Sequence, residues 1–464
     1  MPPNLPPIAG AIRFPGTSLR SRARLASKPP REYLSVSMMV RCLASALIAF
    51  AAPTHALETL PLDSALRAAV ERNFDLALAH DQREAAAAAR EGGKGAFLPS
   101  ASAGISSTGS FEGGAPTTTA DVSASWNLFD GLGDWNAYRR LRAQSKAAGI
   151  SERLELESLL ETVMVAYYDI VQLKQRLAAI GDLLAVSGDR ARLAQAKLEV
   201  GAGSKLEQLQ ALADLNQDSS AWLDQNLSLE RAKVRLNQLL ARDASLDFDV
   251  ADSIPLAADP PLDEWRAALS DRNAAVALAR ARKTAAAAGL EEARGGRLPS
   301  LDAKVSWSAA PEALNPDGAG GRDGASYGIN LSIPLFDRFA TRTNVKKARI
   351  DVRSSATRVA QAEALAAADF EVASRQYALG RRRIALEERN LTVARLQAEA
   401  ARERYRLGAS SPLEFRDAQT RLLDAEGRLI TARQSAKQAE AALQRISGAL
   451  VRAAPGTRAA AERK

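Results

Sequence analysis

Four short runs of the chain alternate between apolar and polar residues. In the clearest of them, every second residue from Tyr327 to Leu335 is apolar. The apolar positions of the other three runs are Ala101, Ala103 and Ile105; Val122, Ala124, Trp126 and Leu128; and Leu301, Ala303, Val305 and Trp307. A period of two over about ten residues is typical of a β-strand with one apolar face. The pattern therefore predicts four strands, which we expect to pair as two hairpins.

A longer stretch carries apolar residues at helical spacing instead. Its apolar positions advance by three and four residues: Leu156, Leu159, Val163, Ala166, Ile170, Leu173, Leu177, Ile180 and Leu184. This spacing is typical of a coiled coil. A helix from about Trp135 to Val200 would be roughly 100 Å long. We expect it to reverse at residues 201–204 and to return as a second helix to about Leu240, with an equivalent turn at residues 408–412.

The chain contains the same unit twice. Each copy begins with an Ala-rich, charged stretch that is predicted to be one helix, at about residues 62–94 and 262–294. A Leu-Pro-Ser sequence follows each stretch, and because proline cannot continue a helix interior, Pro99 and Pro299 are predicted to mark helix-to-strand turns. Further landmarks recur in the same order, namely NLFD and PLFD before the long helix and VGAGSKLE and LGASSPLE at its turn. Equivalent residues of the two copies are 200 positions apart before the stretch PEALNPDGAGGRDG and 207 positions apart after it, and this stretch has the composition of a loop.

The repeat also defines the predicted domains. A fixed internal period indicates a repeated structural unit. We predict a first repeat at residues 57–255, a second at residues 256–450, and a disordered tail at residues 451–464.

The N-terminal end is not expected to belong to the mature protein. Residues 38–56 combine a basic residue, a short apolar core and a small-residue cleavage site, as in a secretory signal peptide. Residues 1–37 are predicted to be a disordered extension, or to precede a true start at Met38 or Met39. Residues 1–56 contain seven of the 62 Lys and Arg residues and one of the 54 Asp and Glu residues, so removing them lowers the net charge from +8 to +2. This near balance gives no support for a nucleic-acid partner.

Few residues of the mature chain could perform chemistry. The only Cys, Cys42, lies in the predicted signal peptide, and His80 is the only His after residue 56. This inventory excludes disulfides, cysteine nucleophiles and His/Cys metal clusters. We therefore predict no cofactor, no metal site and no enzymatic activity.

Four amphipathic strands cannot close a membrane sheet by themselves. Unpaired strand edges are costly in lipid, and membrane barrels begin at eight strands. At least two chains must therefore contribute strands to one barrel. An exported protein with strands of spanning length is expected in an outer membrane, with its long helices projecting away from the hydrocarbon core. A barrel that continues into a helical tube would be a conduit.

Two alternatives dispense with a pore. The first is a cytoplasmic coiled coil, which the signal peptide and the strands disfavour. The second is a periplasmic coiled-coil adaptor or structural protein, which would have no need for four strands with apolar faces.

The ordered landmarks in both copies resemble those of the TolC family of outer-membrane efflux proteins, over about residues 58–450. The resemblance implies a mainly α fold with a β-barrel: two tandem repeats, coiled-coil hairpins that form a periplasmic α-barrel, and four membrane strands per chain, which give a twelve-stranded barrel in a homotrimer. It implies an exit duct in the cell outer membrane that contacts lipid and works with a periplasmic membrane-fusion adaptor and an inner-membrane pump. Both tripartite efflux and type I secretion occur in the family.

The resemblance also implies a periplasmic gate. In the family, an acidic ring narrows the pore on the helix after the second turn, and the matching positions are Glu414 and Asp417, with Tyr405 before the turn and Glu207 as the repeat partner of Glu414. Carboxylates in a narrow pore attract cations and repel anions. A family member used for comparison carries an arginine that ties the closed state, where this chain has Ser410. The alternative is that Glu414 and Asp417 are solvated carboxylates on one helix face.

The two hairpin turns are the second kind of site that the resemblance implies. As helix reversals with glycine at the left-handed cap position, they need no ligand. The family docks its adaptor there, which assigns docking to Val200, Gly201, Gly203, Leu407, Gly408 and Ser410.

Overall fold

The computed structural model describes residues 59–109, 111, 116–257, 260–310 and 323–453. The predicted extension and signal peptide, and most of the predicted second hairpin loop, lie outside the described residues. So does the predicted tail beyond residue 453.

The two repeats have the same order of elements. The first contains α1 (Leu62–Arg72), α2 (Phe74–Gly92), a 3-10 turn (Gly93–Phe97), β1 (Ser100–Thr108), β2 (Thr117–Phe129), α3 (Gly133–Glu199) and α4 (Lys205–Leu239). The second contains α5 (Leu262–Arg272), α6 (Ala274–Gly295), β3 (Ser300–Ala309), β4 (Gly324–Ser332), α7 (Ala340–Arg406), α8 (Pro412–Ile446) and a short α9 (Leu450–Ala453). The predicted helical hairpins and all four predicted strands are therefore present, and α9 covers the first residues of the predicted tail.

The Ala-rich stretch of each repeat is two helices, so the prediction of one helix was wrong. Asn73 and Asn273 interrupt the helices with extended backbone angles. The Asn73 side chain accepts hydrogen bonds from the backbone N–H groups of Asp75 and Leu76, which is the standard N-cap arrangement. Its amide donates to the carbonyl of Leu239 at the end of α4, and Asn273 makes the equivalent bond to Ile446 at the end of α8. Each asparagine thus starts a new helix and ties it to the end of its hairpin.

The four strands form a single antiparallel sheet in the order β1-β2-β3-β4. The register places Val122 opposite Trp307, and Val305 opposite Tyr327. The last strand ends at Ser332, three residues before the predicted end, and residue 334 is a proline, which cannot donate to a strand ladder.

The helices form one layer, and the set of helices that pack side by side differs between its two ends. Next to the sheet, the packing order is α2, α3, α6 and α7, whereas near the hairpin turns it is α4, α3, α8 and α7. The main core lies between these two ends of the layer. There α1 packs on α3 around the fully buried Tyr167, and α5 packs on α7 around Phe370. No helix in the described part of the chain has an apolar stretch long enough to cross a membrane.

Candidate functional site

One face of the sheet is apolar and exposed. The strand register puts these side chains on it: Ala101, Ala103, Ile105, Val122, Ala124, Trp126, Leu301, Ala303, Val305, Trp307, Tyr327, Ile329 and Leu331. Val305 is 57% exposed and Ile329 is 71% exposed in the single chain. So large an apolar surface is stable only against another apolar phase or protein.

The opposite face of the sheet is polar and built from small side chains. Hydroxyl groups pair across the strands, with oxygen separations of 3.1 Å for Ser102 and Ser123 and 2.9 Å for Ser306 and Ser326. Three charged residues lie on the same face: Asp121, Asp302 and Lys304. A sheet with one apolar and one hydrated face has the alternation of a membrane barrel wall.

Both outer strands of the sheet have a free edge. Within the described residues, β1 pairs only with β2, and β4 pairs only with β3. A row of unpaired backbone groups on such an edge is a template for pairing with another chain.

The outer helices carry apolar stripes that the single chain leaves exposed. On α7 these residues recur every seven positions: Leu365, Val372, Leu379, Leu386 and Val393. On α4, at the other side of the layer, they are Leu209, Leu223, Leu227 and Val234. An apolar heptad stripe is the surface that helices use to pair, so both sides of the helical layer can accept a further helix.

The two hairpin turns share one geometry. Gly201 and Gly408 adopt φ values of 70° and 72°, the left-handed conformation that favours glycine. The hydroxyls of Ser204 and Ser411 then accept a hydrogen bond from the N–H three residues later and cap the return helices. A Cβ at Gly203 would come within 2.9 Å of Lys197. The predicted helix reversals are therefore explained by the backbone.

The structure does not bring the four predicted gate residues into one cluster. Tyr405 stacks on Phe415 with ring centroids 5.1 Å apart, and the Lys197 ammonium lies 5.5 Å from the Tyr405 ring centroid. Lys197 also lies 3.9 Å from the carboxylate of Glu207. One lysine of the first hairpin therefore contacts both Glu207 and Tyr405.

The predicted acidic pair lies on the exposed side of α8. Glu414 is exposed, one turn into the helix, and its backbone N–H donates to Ser411. Asp417 is exposed as well and accepts a hydrogen bond from Arg421 on the same helix at 2.8 Å. The gate role of both carboxylates stays a prediction.

A buried ion pair that the sequence pattern does not predict joins the two hairpins near these turns. Arg416 on α8 donates to both carboxylate oxygens of Asp218 on α4, each at 2.6 Å, and Ser187 of α3 donates to the same carboxylate. The Asp218 side chain is 5% exposed. The hydrogen bond to Asp218 raises the pKa of the Arg416 guanidinium above its ordinary value.

The repeat contains a signal that could have drawn attention to this region. At an offset of 207, Phe415 replaces Gln208 and Arg416 replaces Leu209, so the second turn departs from the first where the contact forms. The partner Asp218 is 198 positions away, and no local pattern identifies it.

Comparisons with known proteins follow the same two-repeat division. The sequence matches the family described as outer membrane efflux protein over residues 65–242 and 265–449. It is 24% identical over 341 residues to the outer membrane efflux protein BepC of Brucella suis, which covers 72% of each chain. It is 29% identical over 251 residues to protein CyaE of Bordetella pertussis, and this match spans 53% of each chain, about half the length of that relative.

Solved structures have the same fold. The CmeC outer membrane channel of Campylobacter jejuni matches with a TM-score of 0.75 at 18% identity, over 87% of this chain and 88% of that one. The MtrE outer membrane channel of Neisseria gonorrhoeae matches with a TM-score of 0.68 at 19% identity, over 84% and 89% of the two chains.

Proposed function

Since the chain belongs to the outer membrane efflux protein family, we propose that it forms an exit channel across the outer membrane, with its helices extending through the periplasm. The relative BepC is named an outer membrane efflux protein, and the structural relatives CmeC and MtrE are outer membrane channels. The duct is passive and performs no catalytic step. It serves a tripartite efflux pump or a type I secretion system.

The observation that carries this proposal is the two-faced sheet with two free edges. Its apolar face suits lipid and its polar face suits a water-filled lumen. Because membrane barrels need at least eight strands, the four strands of one chain require partner copies. Three copies supply twelve strands, and pairing of β1 with β4 of a neighbouring chain leaves no edge in the membrane.

The helical layer supports the same assembly. Its exposed apolar stripes lie at opposite sides of the layer, one on α4 and the other on α7. The α7 stripe of one chain can therefore pack against the α4 stripe of the next chain. A closed ring of three layers then buries every stripe in a helical tube below the barrel.

Cysteine cross-linking tests this assembly. Leu386 of α7 and Leu223 of α4 both lie roughly 30 Å from their hairpin turns at 1.5 Å per residue, but at opposite sides of one chain. We expect the Leu386→Cys, Leu223→Cys protein to give disulfide-linked dimers and trimers in the outer-membrane fraction on oxidation. Residues 57–464 contain no natural cysteine that could compete.

A second cysteine pair is the control for that experiment. Phe74 is also exposed, but it lies on the sheet-proximal half, at a different height from Leu386. The Leu386→Cys, Phe74→Cys protein should give no cross-linked species. A soluble periplasmic monomer, with no cross-links from either pair, would favour an adaptor without a pore and reject the channel.

We assign the hairpin turns to partner docking. Val200 and Leu407 are 78% and 76% exposed at the outermost positions of the two turns, and Leu206 and Leu413 are exposed beside them. Exposed apolar side chains on a rigid turn fit a helical partner. A periplasmic membrane-fusion adaptor occupies this surface, and it connects the channel to an inner-membrane pump.

We also assign the cation-attracting constriction to Glu414 and Asp417. Both carboxylates are exposed near the turn, where three copies of α8 converge if the tube narrows. The Glu414→Ala, Asp417→Ala protein should show weaker block by divalent cations in a planar-bilayer conductance measurement, because the wall charge that concentrates cations is lost.

The matched control removes two other exposed carboxylates, Glu399 and Asp424, which lie further from the turn. The Glu399→Ala, Asp424→Ala protein should keep the block. Unchanged block in the Glu414 and Asp417 variant would show that these carboxylates do not line the constriction.

A further inference from the structure

Exposed cations are concentrated where the last strand passes into α7. Arg338, Arg342, Lys346, Lys347 and Arg349 are all exposed, and none of them forms an ion pair with another described residue. The one carboxylate within the same stretch, that of Asp337, accepts a hydrogen bond from the backbone N–H of Thr341 at 2.6 Å and caps the helix.

Two carboxylates of the neighbouring helices, those of Glu91 and Glu292, are already paired with other cations. Glu91 pairs with Arg90 and Lys94, and Glu292 pairs with Arg140. The five cations at the start of α7 therefore have no paired carboxylate among the described residues, and this stretch carries an excess of positive charge.

Aromatic side chains mark the boundary between the sheet and these cations. Phe336 and Phe339 are exposed and pack edge to face with ring centroids 5.5 Å apart. On the first repeat, Phe97, Trp135 and Tyr138 form an equivalent cluster with centroid separations of 6.1 to 6.4 Å. Aromatic residues prefer the interface between hydrocarbon and headgroups, so the residues just beyond them lie at headgroup depth.

The distance along the helix agrees with this depth. Arg342 lies in the first turn of α7 and Lys346 about 9 Å further from the sheet than the helix start. The headgroup layer is roughly 5–8 Å thick on each side of the hydrocarbon, and a long cationic side chain can reach back toward it.

The helix face that carries these cations can be identified. At the seven-residue spacing of α7, Arg342 shares its heptad position with Phe370, 28 positions later, and the Arg266 guanidinium of α5 lies 5.8 Å from the Phe370 ring centroid. Glu371 forms an ion pair at 2.5 Å with Arg266 of α5, which packs on that face. In a tube closed by α7 and its neighbours, an additional helix has room only outside. Arg342 and Lys346 therefore point outward, toward lipid and not toward the lumen.

We propose that Arg338, Arg342 and Lys346, here called the cationic cluster, bind the phosphate groups of anionic phospholipids in the leaflet of the outer membrane that faces the helices. This inference rests on the proposed function, because it needs the sheet to lie in the membrane. Arginine suits the role since its planar guanidinium can bind two phosphate oxygens at once. Each cation near an anionic lipid surface contributes about five-fold in affinity.

Lipid retention by purified trimers tests the cluster. The full-length protein, with its natural processing, is incubated in detergent with equal amounts of phosphatidylglycerol and phosphatidylethanolamine, and the retained lipids are counted by native mass spectrometry. We expect the wild type to retain phosphatidylglycerol at least ten-fold more than phosphatidylethanolamine. The Arg338→Gln, Arg342→Gln, Lys346→Gln protein should lose most of that preference.

The control protein removes the same charge from α7 alone, at a distance from the sheet. Arg358, Arg389 and Arg402 are exposed and lie roughly 27 Å or more from the start of α7. The Arg358→Gln, Arg389→Gln, Arg402→Gln protein should keep the full preference for phosphatidylglycerol, which would assign the effect to position and not to net charge.

Three results would overturn the proposal. They are equal retention of both lipids by the wild type, an unchanged preference in the cluster variant, and an equal loss in the control variant. Channel conductance is measured on the same preparations. A wild type that forms neither trimers nor channels would contradict the proposed function itself and this inference with it.

Discussion

Val305→Lys should prevent assembly of the protein in the outer membrane, whereas Ser306→Lys, one residue further, should leave assembly intact. Val305 lies in the middle of β3 on the apolar face, between Ala124 and Tyr327 of the adjacent strands. A lysine at the bilayer midplane on the lipid face of a barrel costs about 2–4 kcal/mol. Three copies in one trimer bring the cost to about 6–12 kcal/mol, which is comparable to the whole stability of a typical domain.

The Ser306 variant is the matched control, because alternate side chains of a strand point to opposite faces. Ser306 pairs through its hydroxyl with Ser326 at 2.9 Å on the polar face, which already carries Lys304. A lysine there stays hydrated and costs about 1 kcal/mol for the lost hydrogen bond. Heat-resistant trimers in the detergent-extracted outer membrane are measured by gel electrophoresis. Equal recovery of the two variants would mean that the apolar face does not meet lipid.

This pair of variants also shows why the strands were predictable. A lipid-facing side requires apolar residues and a water-facing side requires polar ones. Apolar and polar residues therefore alternate in the sequence wherever a strand spans the membrane. The long helices were predictable for a similar reason, because each buries or pairs one stripe over many turns. The order of strands and helices follows from these periodic features, whereas the family resemblance rests on the landmarks that recur in both copies.

The helix interruption at Asn73 had no comparable signal. Alanine-rich flanks favour a continuous helix, and the interruption is stabilised by contacts with residues far along the chain, including the carbonyl of Leu239. Its recurrence at Asn273 was visible in the repeat, but a repeated asparagine does not by itself reveal an N-cap.

The contacts beside the second hairpin turn were predicted only in part, for a physical reason. Tyr405 was placed beside the turn, and the structure stacks it on Phe415. Its further contact with Lys197, and the pairing of Arg416 with Asp218, depend on how two hairpins lie side by side. Side-chain pairs between distant elements are set by packing and not by local periodicity.

Arg416→Gln should loosen the hairpin turns and raise the single-channel conductance in planar bilayers. The Arg416 side chain is 17% exposed and its partner Asp218 5% exposed, so glutamine would leave a buried carboxylate without its cation. Breaking a buried ion pair in this way costs about 3–5 kcal/mol. The two hairpins can relieve the cost by moving apart, because water then reaches Asp218. A shift of about 3 kcal/mol between close and separated hairpins changes their ratio roughly 150-fold.

Arg421→Gln is the matched control on the same helix. Arg421 also pairs with an aspartate, Asp417, but both side chains are more than half exposed and one turn apart. An exposed pair at this spacing contributes only about 0.3–0.5 kcal/mol, so its conductance should stay near that of the wild type. Asp218→Asn should raise the conductance as Arg416→Gln does. The conductance of the double variant should be no higher than that of either single variant, because the buried charge and its partner are then removed together. If Arg416→Gln and Arg421→Gln conduct alike, the buried pair does not hold the two hairpins together, and their position must depend on contacts between chains instead.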